Sequence, residues 1–274
     1  MNTMGKCIFI LLQLIFFYSF SQSRSFIYEL KYKPGIEKNS IKRQLYSLDV
    51  SKNTSVFRDI SEKASDSLIS YTGLGMGTSN NIEMQICTIK IDDSPKPKVY
   101  KSIKTNFNYY AVKISEDLKW HLSDETKILN GFKAQKADLN YGGRVWTAWF
   151  TDDIPISDGP YIFYGLPGLI LQIEDQKKEY CFTLVKTQKE TKNFYPRKLG
   201  IVMSFDQFSE YLTKYYSDPY FEAKQRGMGQ VYTSDAEGKT VAVDMRERVL
   251  GIQKNIQNNN PIEINYKRIN IEQK

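Results

Sequence analysis

Apolar and polar residues alternate with a period of two along much of the chain. Phe26 to Tyr32 alternates, and Gln44 to Val50 sets Tyr46, Leu48 and Val50 against Leu45, Ser47 and Asp49. Such patterning marks half-buried strands, and Pro34-Gly35 separates these two as a turn. Further strands are expected over Ile82 to Ile91, Lys98 to Ile103 and Tyr109 to Ile114, with Pro95 and Pro97 between the first two. Lys127 to Asn130 reads as a strand entering a tight turn at Gly131. Lys133 to Leu139 and Arg144 to Phe150 flank Asn140-Tyr141-Gly142-Gly143, a hairpin signal. Leu169 to Ile173 and Tyr180 to Lys186 flank a second one, Glu174 to Glu179.

Helical spacing is rarer. Val56, Ile60, Ala64 and Leu68 recur every four residues and predict one amphipathic helix. Ser204 and Gln207 form a capping-box pattern ahead of Phe205, Phe208, Leu212 and Tyr215 on one face. Ser217-Asp218-Pro219 predicts another helix start, with a stop at Gly227. Thr240 to Val243 reads as a short strand, Met245 to Ile252 fits a strand or a helix equally, and Gln257 to Pro261 is a polar turn. Regular βαβ alternation, internal repeats and a dividing linker are all missing from the pattern. The expected fold is therefore mainly β or α+β: a curved antiparallel, half-barrel-like sheet with one or two helical segments packed on it.

The first 21 residues have a different character. Lys6 precedes an apolar run from Ile8 to Phe17, broken by Gln13 and extended to Phe20, and Ser19 and Ser21 supply small residues. This is the pattern of a secretory signal peptide. The run is shorter than the roughly 20 residues of a membrane span, and Cys7 lies before it rather than after it. The expectation is a leader over 1–21 and one β-rich domain over 22–274 with a polar C-terminal tail. The mature chain is expected in the periplasm or secreted, without a transmembrane span. That location would allow Cys87 and Cys181 to bridge; two buried thiols are the other reading.

Composition supports a packed chain: 41% hydrophobic and 25% charged residues, with 16 Gly and 9 Pro, exclude disordered and collagen-like classes. The 14% aromatic content favours strands. The net charge of +7 is spread along the chain instead of focused, which argues against a nucleic-acid partner. Mild attraction to an anionic lipid or polysaccharide surface fits it better.

Arg144 to Ile173 carries the most information. Trp146, Ala148 and Phe150 alternate with Val145, Thr147 and Trp149, so the strand is either buried on both faces or lines a cavity. Asp153-Ile154-Pro155-Ile156 and Asp158-Gly159-Pro160 follow as rigid connections. Gly165-Leu166-Pro167-Gly168 reads as a second tight turn, with Pro-Gly suited to type II.

Here the sequence resembles the GLPGLI proteins, an essentially uncharacterised family exported by Gram-negative bacteria. The name is the run Gly165 to Ile170. The resemblance takes in Ile128 to Lys133, Gln135 to Ala137, Gly143-Arg144, Ala148 to Thr151, Ile154 to Ile156, Gly159-Pro160 and Asn260 to Glu263. Family members often carry Cys where this chain has Ala134, so a family bridge through that position cannot form. The resemblance implies export and no known catalytic residue. The succession of strands is also similar, at the level of fold alone, to the half-barrels of periplasmic lipoprotein carriers, which hold an acyl chain.

Chemical motifs are sparse. His121 is the single His and would have to serve any Ser-His-Asp or Cys-His site; no Gly-x-Ser-x-Gly elbow accompanies it. Asp152, Asp153 and Asp158 suit calcium or, more simply, turn capping. No zinc-ligand spacing is present, and no metal or cofactor is expected. Gly73-Leu74-Gly75-Met76-Gly77 lacks the ending of a phosphate loop and reads as an ordinary loop. Trp120, Arg144, Trp146, Trp149, Phe150, Tyr164, Leu166 and Pro167 are the candidate binding residues. The aromatics would line an apolar cavity and Arg144 would hold a carboxylate or form an ion pair with Asp152 or Asp153. The expected function is non-catalytic binding of an apolar or amphipathic ligand, a lipid or an extended peptide; an envelope protein is a further partner class. The alternative is a hydrolase using a carboxylate pair.

Overall fold

The computed structural model describes residues 23–37, 40–188, 194–195, 197–228, 232–234, 237–242 and 244–265. The leader assigned to 1–21 and the end of the polar tail lie outside them. Twelve strands form one sheet: β1 (Arg24–Tyr32), β2 (Lys42–Val50), β3 (Thr54–Asp59), β4 (Thr88–Ile91), β5 (Lys98–Lys104), β6 (Tyr109–Ile114), β7 (His121–Leu129), β8 (Phe132–Tyr141), β9 (Arg144–Thr151), β10 (Leu169–Asp175), β11 (Tyr180–Gln188) and β12 (Ile201–Met203). Their order is β12-β6-β5-β4-β3-β2-β1-β11-β10-β9-β8-β7, and the sheet is not closed into a barrel. It is two antiparallel meanders joined where β1 pairs β11; β12 alone runs parallel to its neighbour. β13 (Tyr232–Ser234) and β14 (Thr240–Ala242) pair separately. The helices are α1 (Ile60–Thr72), α2 (Phe205–Ser217), α3 (Phe221–Gln225) and α4 (Met245–Asn258).

The sheet curls strongly. Glu263 accepts hydrogen bonds from Lys101 on β5 at 3.2 Å and from Tyr141 on β8 at 3.1 Å. Flat, those strands would stand eight spacings apart, about 38 Å. The curl has an inner face of large apolar side chains, among them Phe26, Tyr28, Leu48, Phe57, Trp146, Phe150 and Phe182. Residues 152–168, between β9 and β10, cross this face as a plug. Phe163 packs on Trp146 with ring centroids 4.8 Å apart, and its carbonyl accepts from Lys90 on β4. Tyr28 donates to the Ile170 carbonyl and Thr88 to that of Tyr161, both at 2.7 Å. Tyr161, Ile162 and Phe163 are buried to 1% exposure or less, each worth about 1.5–3 kcal/mol in apolar burial. The inner face of β5 and β6 is covered instead by α2 and α4, through Phe208, Leu212, Ile252 and Ile256.

The plug holds its shape by tight turns. Ile156, Asp158 and Gly168 each donate to the carbonyl two residues back, the hydrogen bond of a γ-turn. The Pro167 turn is therefore not the type II turn expected, and positive φ falls on Gly165 instead. A Cβ on Gly168 would lie 1.9 Å from the Thr151 carbonyl oxygen, so no other residue fits there. Gly142 and Gly143, both at positive φ, make the two-residue turn of the β8–β9 hairpin. The segment after α4 packs directly on that turn, with Ile264 donating to the Gly142 carbonyl.

Several local expectations change. Val56 belongs to β3, and the helix begins at Ile60, capped by Asp59. The strand expected from Ile82 starts with a 3-10 turn and becomes extended at Thr88. β7 begins at His121, six residues before the strand expected from Lys127. Asp218 ends α2, and the next helix starts at Phe221. Met245 to Asn258 is helical, capped by Asp244.

The Glu263 bridge should dominate stability. Glu263→Ala would take the carboxylate away from buried Lys101 and from the Tyr141 and Tyr161 hydroxyls, at a cost of about 3 kcal/mol. A fall in the urea midpoint of corresponding size is expected.

Candidate functional site

The inner face predicted to hold a ligand is occupied by the chain itself. Trp146 and Phe150 lie in the core against the plug, and Leu166 is a core residue of the plug itself. Trp149 points to the opposite side of β9, under Lys127, whose ammonium sits 3.9 Å from the ring centre. Pro167 is exposed at the plug's last turn. Trp120 packs at the edge of the core and donates to the Tyr164 carbonyl at 2.8 Å.

Arg144 is a structural clamp. It enters β9 from the glycine turn and is buried. It reaches Asp175 at 2.9 Å and Glu179 at 2.8 Å, neither of them the Asp152 or Asp153 expected. It also donates to the Asn260 side chain at 2.7 Å and to the carbonyls of Pro261 and Ile262 at 2.9 and 3.0 Å. Its donors thus fasten residues 260–262 to the end of the hairpin. Burial pushes the Glu179 carboxyl up, but hydrogen bonds from Arg144 and Asn260 and the Arg144 charge outweigh it and hold it below its usual value.

What remains open is a cavity of about 580 Å³ at one end of the plug. Ile156, Ser157, Asp158, Tyr164 and Gly165 of the plug form one wall. The β2–β3 turn around Lys52 and Asn53, the β4–β5 turn with Pro95 and Pro97, and Leu118 form the others. Lys90 lies on the floor, buried; its ammonium donates to the Asp158 carboxylate, to the Gly159 carbonyl at 2.8 Å and to the Phe163 carbonyl at 3.3 Å. Burial lowers the Lys90 pKa and the Asp158 charge opposes that shift. Lys90 therefore pins the plug to β4 while presenting an ion pair to the cavity. At the rim Lys96 pairs with Asp117 at 2.9 Å, which holds the Asp117 carboxyl below its usual value.

The other candidates do not converge. His121 is exposed on the edge strand β7. Asp152 and Asp153 are exposed while Asp158 is buried with Lys90. Among the described residues no group of three or more His, Cys, Asp or Glu could hold a metal ion. The Gly73–Gly77 run follows a helix instead of preceding one, so it meets the negative end of the helix dipole. Cys87 and Cys181 are both free. Three strands separate β11, which carries Cys181, from β4, which Cys87 precedes; that is about 19 Å along the sheet, beyond disulfide reach. Burial pushes the Cys87 thiol up to about 12 despite Arg197, whose guanidinium lies 3.0 Å away.

A second buried polar network fills the outer face under α1. Arg58, with no exposure, pairs with Asp49 at 3.2 Å and Asp66 at 2.6 Å, and Arg197 makes two bonds to Asp66 at 3.1 and 3.2 Å. Neither this network nor the Lys90–Asp158 and Glu263 contacts carried a motif. The one visible hint was charge on the inward face of an alternating strand, as at Lys90 and Lys101.

The architecture is a plugged, curled antiparallel sheet with one end of its inner face open. A family model described as a protein of unknown function (Porph_ging) matches residues 142–172, which span β9, the plug and the start of β10. No curated protein matches the chain. Two solved structures of PNGF-II, in P21 and C2 crystals, are similar at a TM-score of 0.45 and 12% identity. The alignment covers 67% of this chain and 31% of theirs, so this chain matches about a third of their length. Among the described residues no helix is long and apolar enough to cross a membrane.

Two outcomes are expected here. Since Glu179 titrates below the unfolded value of about 4.3, the unfolded chain binds more protons in that range, and stability falls as pH drops through it. The stability difference between the parent and Glu179→Gln should be constant above about pH 5 and shrink below about pH 4. In the native protein at pH 8, iodoacetamide should leave Cys87 unlabelled, and both Cys87 and Cys181 should label in non-reducing urea.

Proposed function

We propose that this is an exported, non-catalytic binding protein of the GLPGLI type. It takes an amphipathic small molecule or a short extended peptide into the cavity at the end of the plug. The observation that carries this reading is the composition of that cavity. Its apolar side chains (Ile156, Tyr164, Pro95, Pro97, Leu118) face a floor with an ion pair, and the matched segment supplies one wall of the lining. Its volume of about 580 Å³ suits a ligand of drug or short-peptide size. A long acyl chain fits the reading less well, because Tyr161, Ile162 and Phe163 already fill the inner face.

The carboxylate hydrolase gains little support. Such chemistry needs one carboxyl held protonated near neutral pH. Of the three acids lining the cavity, Asp92, Asp117 and Asp158, the last two each face a lysine, and Asp117 is pushed toward its ionised form.

The test is native mass spectrometry of protein purified from its own source, followed by denaturing extraction. A stoichiometric small molecule or peptide is expected. Trp120 reports on the site through its bond to Tyr164, so rebinding should change its fluorescence. Tyr164→Ala should weaken rebinding about tenfold with little loss of stability. Empty protein whose Trp120 responds to no extract fraction would refute the proposal.

A further inference from the structure

The outer side of the sheet carries a helix turned inside out. The three charged residues of α1, Glu62, Lys63 and Asp66, all enter the buried network. Glu62 and Asp66 pair with Arg197, and Lys63 pairs with Asp49 at 2.6 Å. The buried residues of α1 are Ser65 and Asp66. The apolar residues Ile60, Ala64 and Leu68, which the sequence pattern puts on the apolar face of the helix, face solvent. The exposed surface continues through Tyr71 in the last turn of α1 into the glycine-rich loop, with Tyr71, Leu74 and Met76 75%, 74% and 51% exposed. That loop is held in place, with Met76 N–H donating to the Ser65 hydroxyl at 2.9 Å and Gly75 packed against Ile69. The exposed face of the helix thus carries no fully exposed charge and has large apolar side chains at its tip.

A cavity of about 680 Å³ opens beside the same loop, on the face opposite the candidate binding cavity. Its lining cations are Lys104, Arg197 and Lys198, and its single lining carboxylate, Asp66, is taken by Arg58 and Arg197. Among the described residues Lys104 pairs with no carboxylate. Its ammonium makes long contacts to the Ser65 hydroxyl at 3.4 Å and the Met76 carbonyl at 3.3 Å, and lies 5.9 Å from the centre of the Tyr109 ring. Lys198 is exposed.

We propose that this corner docks on an anionic membrane surface. Tyr71, Leu74 and Met76 enter the bilayer interface, while Lys104 and Lys198 hold a phosphate-bearing headgroup in the adjacent cavity. Charge complementarity selects the occupant, because the pocket has surplus positive charge directly beside apolar anchors. Size argues against a protein partner. A 13-residue helix is about 20 Å long and presents about 200 Å², far below the roughly 800 Å² per side of a stable complex. A bilayer needs no such footprint, since each inserted side chain contributes on its own.

The test is co-sedimentation of the described protein with vesicles of phosphatidylcholine alone or with about 30% phosphatidylglycerol, at about 0.05 M and about 0.5 M salt. Binding is expected only to the anionic vesicles at low salt. Lys104→Gln and Lys198→Gln should each weaken it about fivefold, and Leu74→Ser about tenfold, with thermal melting unchanged. Leu74→Trp should gain emission that acyl-brominated phosphatidylglycerol quenches. Equal binding to both vesicle types, or variants that bind like the parent, would overturn the proposal. So would tight binding of soluble glycerol phosphate with none to vesicles, which would make this a site for free anions.

Discussion

One buried carboxylate connects the distant parts of this fold. Glu263 lies close to the end of the chain and takes hydrogen bonds from Lys101 on β5, Tyr141 on β8 and Tyr161 in the plug. No backbone ladder closes the sheet, so the curl depends on side-chain ties of this kind, together with the hydrogen bonds from Lys90 and Thr88 to the plug. The curl is thus maintained by side chains rather than by strand pairing. Burying the charge is tolerable because three donors surround it and offset its desolvation. Arg144 complements this arrangement by fastening the residues just before Glu263 to the β8–β9 hairpin.

That closure explains the fate of the aromatic residues. Curling the sheet creates an inner face rich in rings, and an empty face of that kind would sacrifice the burial that drives folding. The plug fills it with Tyr161, Ile162 and Phe163, and Lys90 holds the plug from the opposite meander. What stays open is the part the plug does not reach, where apolar wall and ion pair meet. The binding surface is therefore a boundary between the plug and two turns, and its chemistry is mixed where the interior's is apolar.

The fold class was legible because alternation is a local property, and strands such as β1, β2, β8, β9 and β11 express it clearly. The glycine turn at 142–143 was legible for the same reason, since its conformation depends on two adjacent residues. Misreadings arose where tertiary context prevails over local pattern. Val56 was assigned to a helix because it extends a four-residue spacing that in the structure belongs to the solvent side of α1. The helix is oriented by its charges, as Arg58 and Arg197 draw Asp66 and Glu62 inward. Arg144 was noticed as a residue of consequence, but its partners Asp175, Glu179 and Asn260 lie 31 to 116 positions away. Lys90, Asp158 and Glu263 carried no spacing to find, because the strand order that unites them is a property of the whole sheet.

The order in which the parts appear along the chain has a consequence for how the protein is made. β1 must wait for β11, more than 140 residues later, before the two meanders can join, and contacts so far apart form slowly. Glu263 emerges later still. A chain that stops between β11 and that residue would hold most of its strands yet lack the group that gathers them. If it also lacks α2 and α4, the apolar inner face of β5 and β6 would be exposed to proteases and to other unfinished chains. Completion of the fold therefore waits for the segment that carries Glu263, and a product shortened before it is marked for removal by its own shape.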